Sequence, residues 1–409
     1  MTPWMALLPL VLVACSAPPP APSDAPSVPT YYGEVAPLLA RRCGACHRDA
    51  GVAPFALSTY EEAKDAAHEI AKVTRLRTMP PWPADAGGSC GTFVDQRWLS
   101  EDEIALLDAW HTAGAPAGDP SAATPIAFPE APRFTPAVEL AADVPYPVVP
   151  STTDDYRCFV ADPGLVDDAY ITAMQVTPDR AEVVHHIQLF AADSAADEAE
   201  LDRLVAADAS PGYACGNDGV GPDLRYVGVW AAGDLVRRWP DGTGIQLRAG
   251  HRLVLQIHYH HHGGAPVLDH TRVALELARS VDKIGLIERA RNLALVLPPG
   301  ESNIEAIGVH RIAIDTPSVM RGARIHMHTL GIRGRLELVR GGESTCLLAI
   351  PRWDFNWQLF YLFDKPVPLL PGDELRLTCA YDTRTRTEPV LWGLGTDDEM
   401  CIGQTYITD

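Results

Sequence analysis

Within five residues the chain places two thiols and an imidazole on one helical turn, Cys43-Gly44-Ala45-Cys46-His47. That spacing fits two thioether bonds to haem vinyl groups with His47 as an axial iron ligand, and it constrains the residues around it to fold as a small domain about a porphyrin. Paired thiols also bind zinc, but no second Cys pair or nearby His completes a zinc shell here. The sixth iron ligand is expected later in the same domain. Met79, in Arg77-Thr78-Met79-Pro80-Pro81-Trp82, is the one methionine available there. The two prolines after it force an extended loop able to present the thioether. His68 and His111 are the alternatives. A His/Met haem has a raised potential and closed coordination, which suits electron transfer rather than oxygen chemistry.

Helical signals surround the motif. Glu61 to Leu76 carries apolar residues at helical spacing, and Ser100-Glu101-Asp102-Glu103 is a capping box opening a helix through Trp110, stopped by Gly114 and Pro116. With the attachment motif and the Met-Pro-Pro loop in this order, residues 31–117 resemble a small class I cytochrome c. Residues 118–135 are Pro/Ala-rich and mark a linker. Beyond them, β-branched and aromatic runs such as Val183 to Phe190, Arg252 to His258, Arg272 to Leu277 and Glu374 to Tyr381 alternate with Pro, Gly and Asp turns. This β region is too long for one ordinary sandwich. The expected fold is multidomain, a small all-α cytochrome c domain followed by two all-β, jelly-roll-like sandwiches at 136–280 and 281–409.

Residues 1–15 form a short apolar run ending Leu12-Val13-Ala14-Cys15, which resembles a bacterial lipobox with Cys15 as the lipidated residue. Residues 16–30, rich in Pro, Ala and Ser, read as a tether. The expectation is an exported lipoprotein in the periplasm or at the cell surface, membrane-attached only through Cys15, with a plain cleaved signal as the alternative. No apolar stretch approaches the ~20 residues that span a bilayer. Fifty-three acidic against 33 basic side chains give a formal net charge of −20, which disfavours nucleic acid as a partner. The acidic stretch Asp193 to Asp202 reads as a solvated loop or short helix.

Fourteen histidines are present, and those of the β region fall largely in three knots: His185-His186, His258 with His260 to His262, and His326-Met327-His328. On a strand His326 and His328 point to the same face and can converge on one ion. Adjacent His185 and His186 face opposite ways unless a bulge or strong twist intervenes, so joint ligation by them requires one. No carboxylate recurs among the knots and no cysteine lies within them. Imidazole with thioether suits copper, particularly Cu(I), whereas imidazole alone leaves zinc open.

The knots sit in four ordered motifs that resemble the copper type II, ascorbate-dependent monooxygenase family over roughly residues 150–409. Val184-His185-His186-Ile187-Gln188-Leu189-Phe190 is similar to its His-His motif, and Val254-Leu255-Gln256-Ile257-His258-Tyr259 to its Leu-Gln-x-His-Tyr motif. Arg324-Ile325-His326-Met327-His328 and Asp398-Glu399-Met400-Cys401 are similar to the segments that ligate its second metal. The resemblance implies that His185, His186 and His258 bind an electron-storing copper, and that His326, His328 and Met400 hold the copper where dioxygen reacts. Two copper ions and one covalently bound haem c are therefore the expected cofactors. His260 to His262 are expected at the surface or behind the ligands.

Arg324 stands where peptide-hydroxylating members place an arginine that binds the substrate carboxylate; a solvated or ion-paired strand arginine is the plain alternative. Those members carry Asn and Tyr shortly after the Met-Cys pair, where this sequence has Ile402 and Gln404, so a peptidylglycine substrate is not implied. With Cys15, Cys43 and Cys46 assigned, six cysteines remain. The resemblance pairs Cys379 with Cys401 and Cys158 with Cys215, leaving Cys90 and Cys346 to bridge the cytochrome to the last sandwich or stay free. The implied activity is hydroxylation of a C–H bond in an unknown small substrate with dioxygen. The electron donor would be ascorbate-like or a redox protein, and the haem would feed electrons singly to the coppers. The competing readings are a copper/haem electron-transfer protein without turnover, marked by the absence of substrate-dependent dioxygen uptake, and a β-sandwich binding module that retains no copper.

Overall fold

A computed structural model describes residues 28–409 apart from 50, 52, 86, 95, 123–133, 152–153, 216–219, 222–223, 232–233, 235, 262 and 396. The expected export segment at 1–15, most of the tether, most of the linker and His262 lie outside the described residues.

The N-terminal part is helical. A π-helical turn, Tyr31–Val35, runs into Ala36–Arg42, and two capping boxes open later helices: Thr59 with Glu62 for Tyr60–Asp65, and Ser100 with Glu103 for Glu101–Thr112. Each box satisfies two otherwise orphaned N–H groups. Gly114, at φ 84°, adopts the left-handed conformation that closes the last helix. The single helix expected over 61–76 is instead two, Tyr60–Asp65 and Ala67–Arg75. Between them Ala66, at φ −89° and ψ −1°, shares its N–H between Glu62 O and Lys64 O, and this tight turn reorients the second half. Buried Tyr31, Val35, Leu38, Leu39, Leu107 and Trp110 form the core of this part.

The β region is built on one long sheet. Its strands run, in spatial order, Val138–Leu140, Arg272–Ala278, Ala169–Thr177, Thr243–Leu247, Lys283–Arg291, Ile402–Thr408, Ser318–His326 and Tyr361–Leu369, with Arg237–Arg238 added beside Ala169–Thr177. A five-stranded sheet of Tyr213–Ala214, Asp155–Ala161, Leu253–Tyr259, Val184–Ala191 and Arg225–Ala231 packs on its first half. A four-stranded sheet of Ile304–Arg311, Glu374–Tyr381, Gly331–Arg340 and Glu343–Ile350 packs on its second half. Two apolar cores result. Ile171, Ile187, Leu189, Leu255 and Ile257 belong to one, and Met320, Ile325, Leu336, Leu348 and Leu377 to the other. The halves join where Thr243 pairs in parallel with Lys283.

The acidic stretch forms a helix, Ala195–Ala207, whose carboxylates are ion-paired rather than merely solvated: Glu198 and Asp202 both hold Arg252, and Asp193 holds Arg225. Disulfides join Cys158–Cys215, Cys379–Cys401 and Cys90–Cys346. The last ties the helical part to the second sandwich. Trp82, Ala84 and Phe93 pack into that sandwich's core, Phe93 bridges Phe363, and Asp85 N–H donates to Ala349 O at 2.9 Å. Among the described residues no helix is long and apolar enough to cross a membrane.

Candidate metal centres

The strand pairing that carries the first histidine cluster is irregular at one residue. His258 pairs with His186, but Tyr259 pairs with Val184, so His185 is the extra residue of a bulge. This is the device that lets neighbours in sequence project to one side of a strand. The Nδ1 atoms of His185, His186 and His258 lie 3.2, 3.2 and 3.3 Å from one another. The centre of that triangle is about 1.9 Å from each nitrogen, close to the roughly 2.0–2.1 Å of a metal–imidazole bond. A single cation there would engage three lone pairs that otherwise face each other, so the donor set fits a metal.

The surroundings favour the ligating form of each ring. Burial, reinforced by the neighbouring imidazoles, lowers His185 to about 3 and holds His186 well below its ordinary value, leaving both neutral. His258 is lowered mainly by burial and is 2% exposed. Asp154 Oδ1 lies 3.3 Å from His258 Nε2 and 2.7 Å from His260 Nδ1, favouring the protonated state of the outer nitrogen of His258 while Nδ1 faces the cluster. Tyr156 stacks on His258 at 4.2 Å and Phe355 on His185 at 4.8 Å, fixing the ring planes. His260 thus sits beside the cluster, and His261 is at the surface with Nε2 3.1 Å from Ala265 O.

The second cluster forms where the strand Ser318–His326 ends. His326 and His328 have ring centroids 5.2 Å apart, and Met400, buried, lines the same cavity. The Nδ1 of His328 is 3.0 Å from Asp398 O, and that of His326 is 2.5 Å from Gln358 Oε1, which leaves Nε2 of each ring for an ion. Glu399 is fully buried and binds backbone alone: Oε2 accepts from His328 N–H at 2.8 Å and Met400 N–H at 3.2 Å, and Oε1 from Leu330 N–H at 2.6 Å. One carboxylate therefore clamps both segments that carry the expected ligands. Burial pushes it up to about 7 against the opposing pull of those three N–H groups. The Cys379–Cys401 disulfide and the Tyr381 hydroxyl, which donates to Met400 O at 2.8 Å, hold the Met400 backbone from the other side. Imidazole with thioether is a donor set that fits copper.

Both clusters open onto one cavity of about 360 Å³ between the sandwiches, and His186 and His326, one from each cluster, have ring centroids 6.3 Å apart. Arg324 lines the same cavity, 2% exposed and without an ion pair among the described residues, which differs from a solvated or ion-paired strand arginine. Sequence reasoning missed Asp154, Gln358 and the role of Glu399. Only Glu399 left a trace, a carboxylate next to Met400 in a segment otherwise bound for the core.

In the helical part, Cys43 and Cys46 are unpaired while the other described cysteines form disulfides. Burial and the neighbouring Cys46 push the Cys43 thiol up to about 12. His47 Nδ1 is 3.1 Å from Phe55 O, which leaves Nε2 for iron, and its ring packs on Phe55 at 4.8 Å. Two free thiols beside an imidazole so oriented fit the attachment of a haem. Met79 lies in the loop leaving Ala67–Arg75, its N–H 3.3 Å from Val73 O. His68 and His111, the alternatives, pack on each other at 5.3 Å.

Residues 285–408, which hold His326, His328 and Met400, match the family described as copper type II ascorbate-dependent monooxygenase, C-terminal domain. MOXD1 homolog 1 of Drosophila melanogaster is 26% identical over 55% of this chain and 35% of its own length. DBH-like monooxygenase protein 1 of Homo sapiens is 26% identical over 54% and 38%, and dopamine beta-hydroxylase of Canis lupus familiaris is 23% identical over 56% and 39%. The chain thus spans little more than a third of the length of these curated relatives. By this match residues 285–408 are similar to the C-terminal domain of the copper type II ascorbate-dependent monooxygenases, and the chain is similar to the monooxygenases named.

Proposed function

We propose that the chain is an exported copper- and haem-containing monooxygenase that hydroxylates a C–H bond of a small substrate with dioxygen. The observation that carries this reading is that a three-imidazole cluster and a His/His/Met set adjoin one cavity. Copper at these sites would supply one-electron storage on the all-imidazole side and dioxygen chemistry on the thioether side, where sulfur favours Cu(I).

The chain's own residues prepare that chemistry. His185, His186 and His258 are kept neutral and immobile by burial and by Tyr156 and Phe355. Glu399 fixes the backbone of His328 and Met400, so that neither segment must reorganise when an ion enters. Gln358 and the Asp398 carbonyl hold the Nδ1 side of His326 and His328. Apolar walls including Phe190, Val229 and Trp392 exclude water around a bound substrate, and Arg324 offers its guanidinium to an acidic group on it.

The reading includes electron delivery through a c-type haem attached at Cys43 and Cys46 with His47 and Met79 as axial ligands, ascorbate or a redox protein being the outer donor. Its support is the contact between the two parts: Trp82, three residues after Met79, packs on Tyr361 at 5.1 Å, and Tyr361 pairs with Ala323, next to Arg324. Export as a lipoprotein through Cys15 completes the proposal and agrees with the disulfides.

The test is metal and haem analysis of the full chain, followed by an anaerobic titration that follows reoxidation of reduced haem on adding copper(II) and a screen of substrates by dioxygen uptake. Two coppers and one haem per chain, with haem reoxidation and substrate-dependent uptake, are expected. Fast haem reoxidation without uptake for any substrate would leave an electron-transfer protein, and absence of bound copper would end the monooxygenase reading.

A further inference from the structure

Three arginines, Arg289, Arg291 and Arg324, line the cavity, and no aspartate or glutamate is among its described lining residues. Arg324 keeps its Nε and Nη1 buried without a hydrogen-bond partner among the described residues, and its Nη2 lies 3.5 Å from Gln358 Oε1. Asp234, the acid that acts most strongly on Arg324, already accepts from Arg237 Nη2 at 2.9 Å. Arg289 lies over the Tyr226 ring, 4.6 Å from its centroid, and its sequence neighbour Glu288 is taken by His310 at 2.9 Å. Gln404 is paired with Arg289 on one side and Arg324 on the other. Directly paired residues of adjacent strands project from the same face, so the three form one row across the sheet, guanidinium, amide, guanidinium. Gln404 Nε2 is itself held by the Tyr226 hydroxyl oxygen at 3.0 Å. The next row on that face carries Ile402 paired with His326, roughly 7 Å further along the strand.

We propose that this row binds the doubly negative oxyanion end of the substrate, a phosphonate or phosphate-monoester type of group. The inference rests on reading the cavity as a substrate site. The buried Arg324 guanidinium is costly without a carboxylate, and with the half-buried Arg289 in the same row a single carboxylate would neutralise only one of the two. A dianion offers oxygens to both, each in the forked geometry that arginine favours, while the Gln404 amide caps the third side. The apolar remainder of the substrate then points along the face toward His326, so the carbon presented to the second metal centre is a few bonds from the charged end. The side chain that decides this specificity is Arg289, which no motif in the sequence singles out.

The experiment is calorimetric titration of the copper-loaded full chain with phenylphosphonate in its doubly ionised form, with benzoate and with benzyl alcohol, repeated on R289Q, R289K and R324Q. Phenylphosphonate is expected to bind roughly tenfold or more tightly than benzoate, with benzyl alcohol weakest, and R289Q to lose roughly that factor for phenylphosphonate while R289K keeps part of it. Benzoate binding as tightly as phenylphosphonate overturns the double charge, and undiminished phenylphosphonate binding by R289Q overturns the role of Arg289. Copper content measured on the same samples separates the two ideas. A chain that binds phenylphosphonate but retains no copper sinks the monooxygenase reading and leaves the anion site standing. A chain with two coppers and no phenylphosphonate binding does the reverse.

Discussion

Glu399 shows how much one side chain can organise. Its two oxygens satisfy the N–H groups of Leu330, His328 and Met400, residues brought together only by the fold. Glu399→Gln would turn an amide donor toward those donors and leave at least one buried N–H unpaired, at a cost of about 1–3 kcal/mol. The expected outcome is selective loss of copper affinity at the His326/His328/Met400 set with the three-imidazole site unchanged, read by metal titration with electron paramagnetic resonance. The imidazoles make a second residue-scale prediction. Burial lowers His185 to about 3 and depresses His186, His258, His326 and His328 from the ordinary 6.5. Unfolded, these rings take up protons near 6.5, so the unfolded state binds more protons in the interval below it and acid favours unfolding. The Tm of the metal-free chain is expected to fall between about pH 6.5 and 4, where calorimetry at constant ionic strength would detect it. The candidate metal ligands were legible because imidazole and thioether are rare and clustered here. Asp154, Gln358 and Arg289 were not, because a carboxylate, an amide and a guanidinium look the same in sequence whether they face solvent or the lining of a cavity.

At the scale of elements, the bulge at His185 turns a sequence pattern into a site. Alternation along a regular strand would have sent His185 to the face opposite His186; one extra residue against His258 and Tyr259 brings both to the same point. His185→Ala is expected to leave the strands paired and to lower tight copper binding from two ions to one, with the thioether site retained; metal analysis after dialysis gives the count. The need for such a bulge follows from the adjacent histidines, but its position depends on a partner strand some seventy residues away, which no local pattern specifies. The Ser100–Glu103 capping box is legible in a four-residue window because its hydrogen bonds are local, whereas the Thr59–Glu62 box was found only in the structure. The turn at Ala66 was not legible, since Ala favours continuing a helix.

At the scale of the whole molecule, the helical part is joined to the sandwich that carries His326 by more than a linker. The stretch 82–94 adds backbone hydrogen bonds, an aromatic cluster of Trp82, Phe93, Tyr361 and Phe363, and the Cys90–Cys346 bond. Replacing both cysteines by serine is expected to leave metal content intact and to slow reoxidation of haem by copper severalfold in stopped-flow, because docking would then rest on apolar contact and a few hydrogen bonds without a covalent tie. An unchanged rate would show that the covalent tie contributes nothing to electron delivery. Sequence reasoning anticipated two sandwiches from length and turn spacing. It did not anticipate that a single sheet passes through both, since the parallel pairing of Thr243–Leu247 with Lys283–Arg291 is a match of three residue pairs between segments distant in sequence, which no local pattern specifies.

That shared sheet has a mechanical consequence. Its strands behave as a common spine, and the cavity is the gap between pages bound along it. Three residue pairs, Thr243 with Lys283, Gly244 with Ile284 and Ile245 with Gly285, bind the halves along that spine, so any rotation of one half against the other would have to twist them. Cutting the gene between the two sandwiches would sever the binding itself, leaving each half with an open, adhesive edge instead of a smaller folded protein.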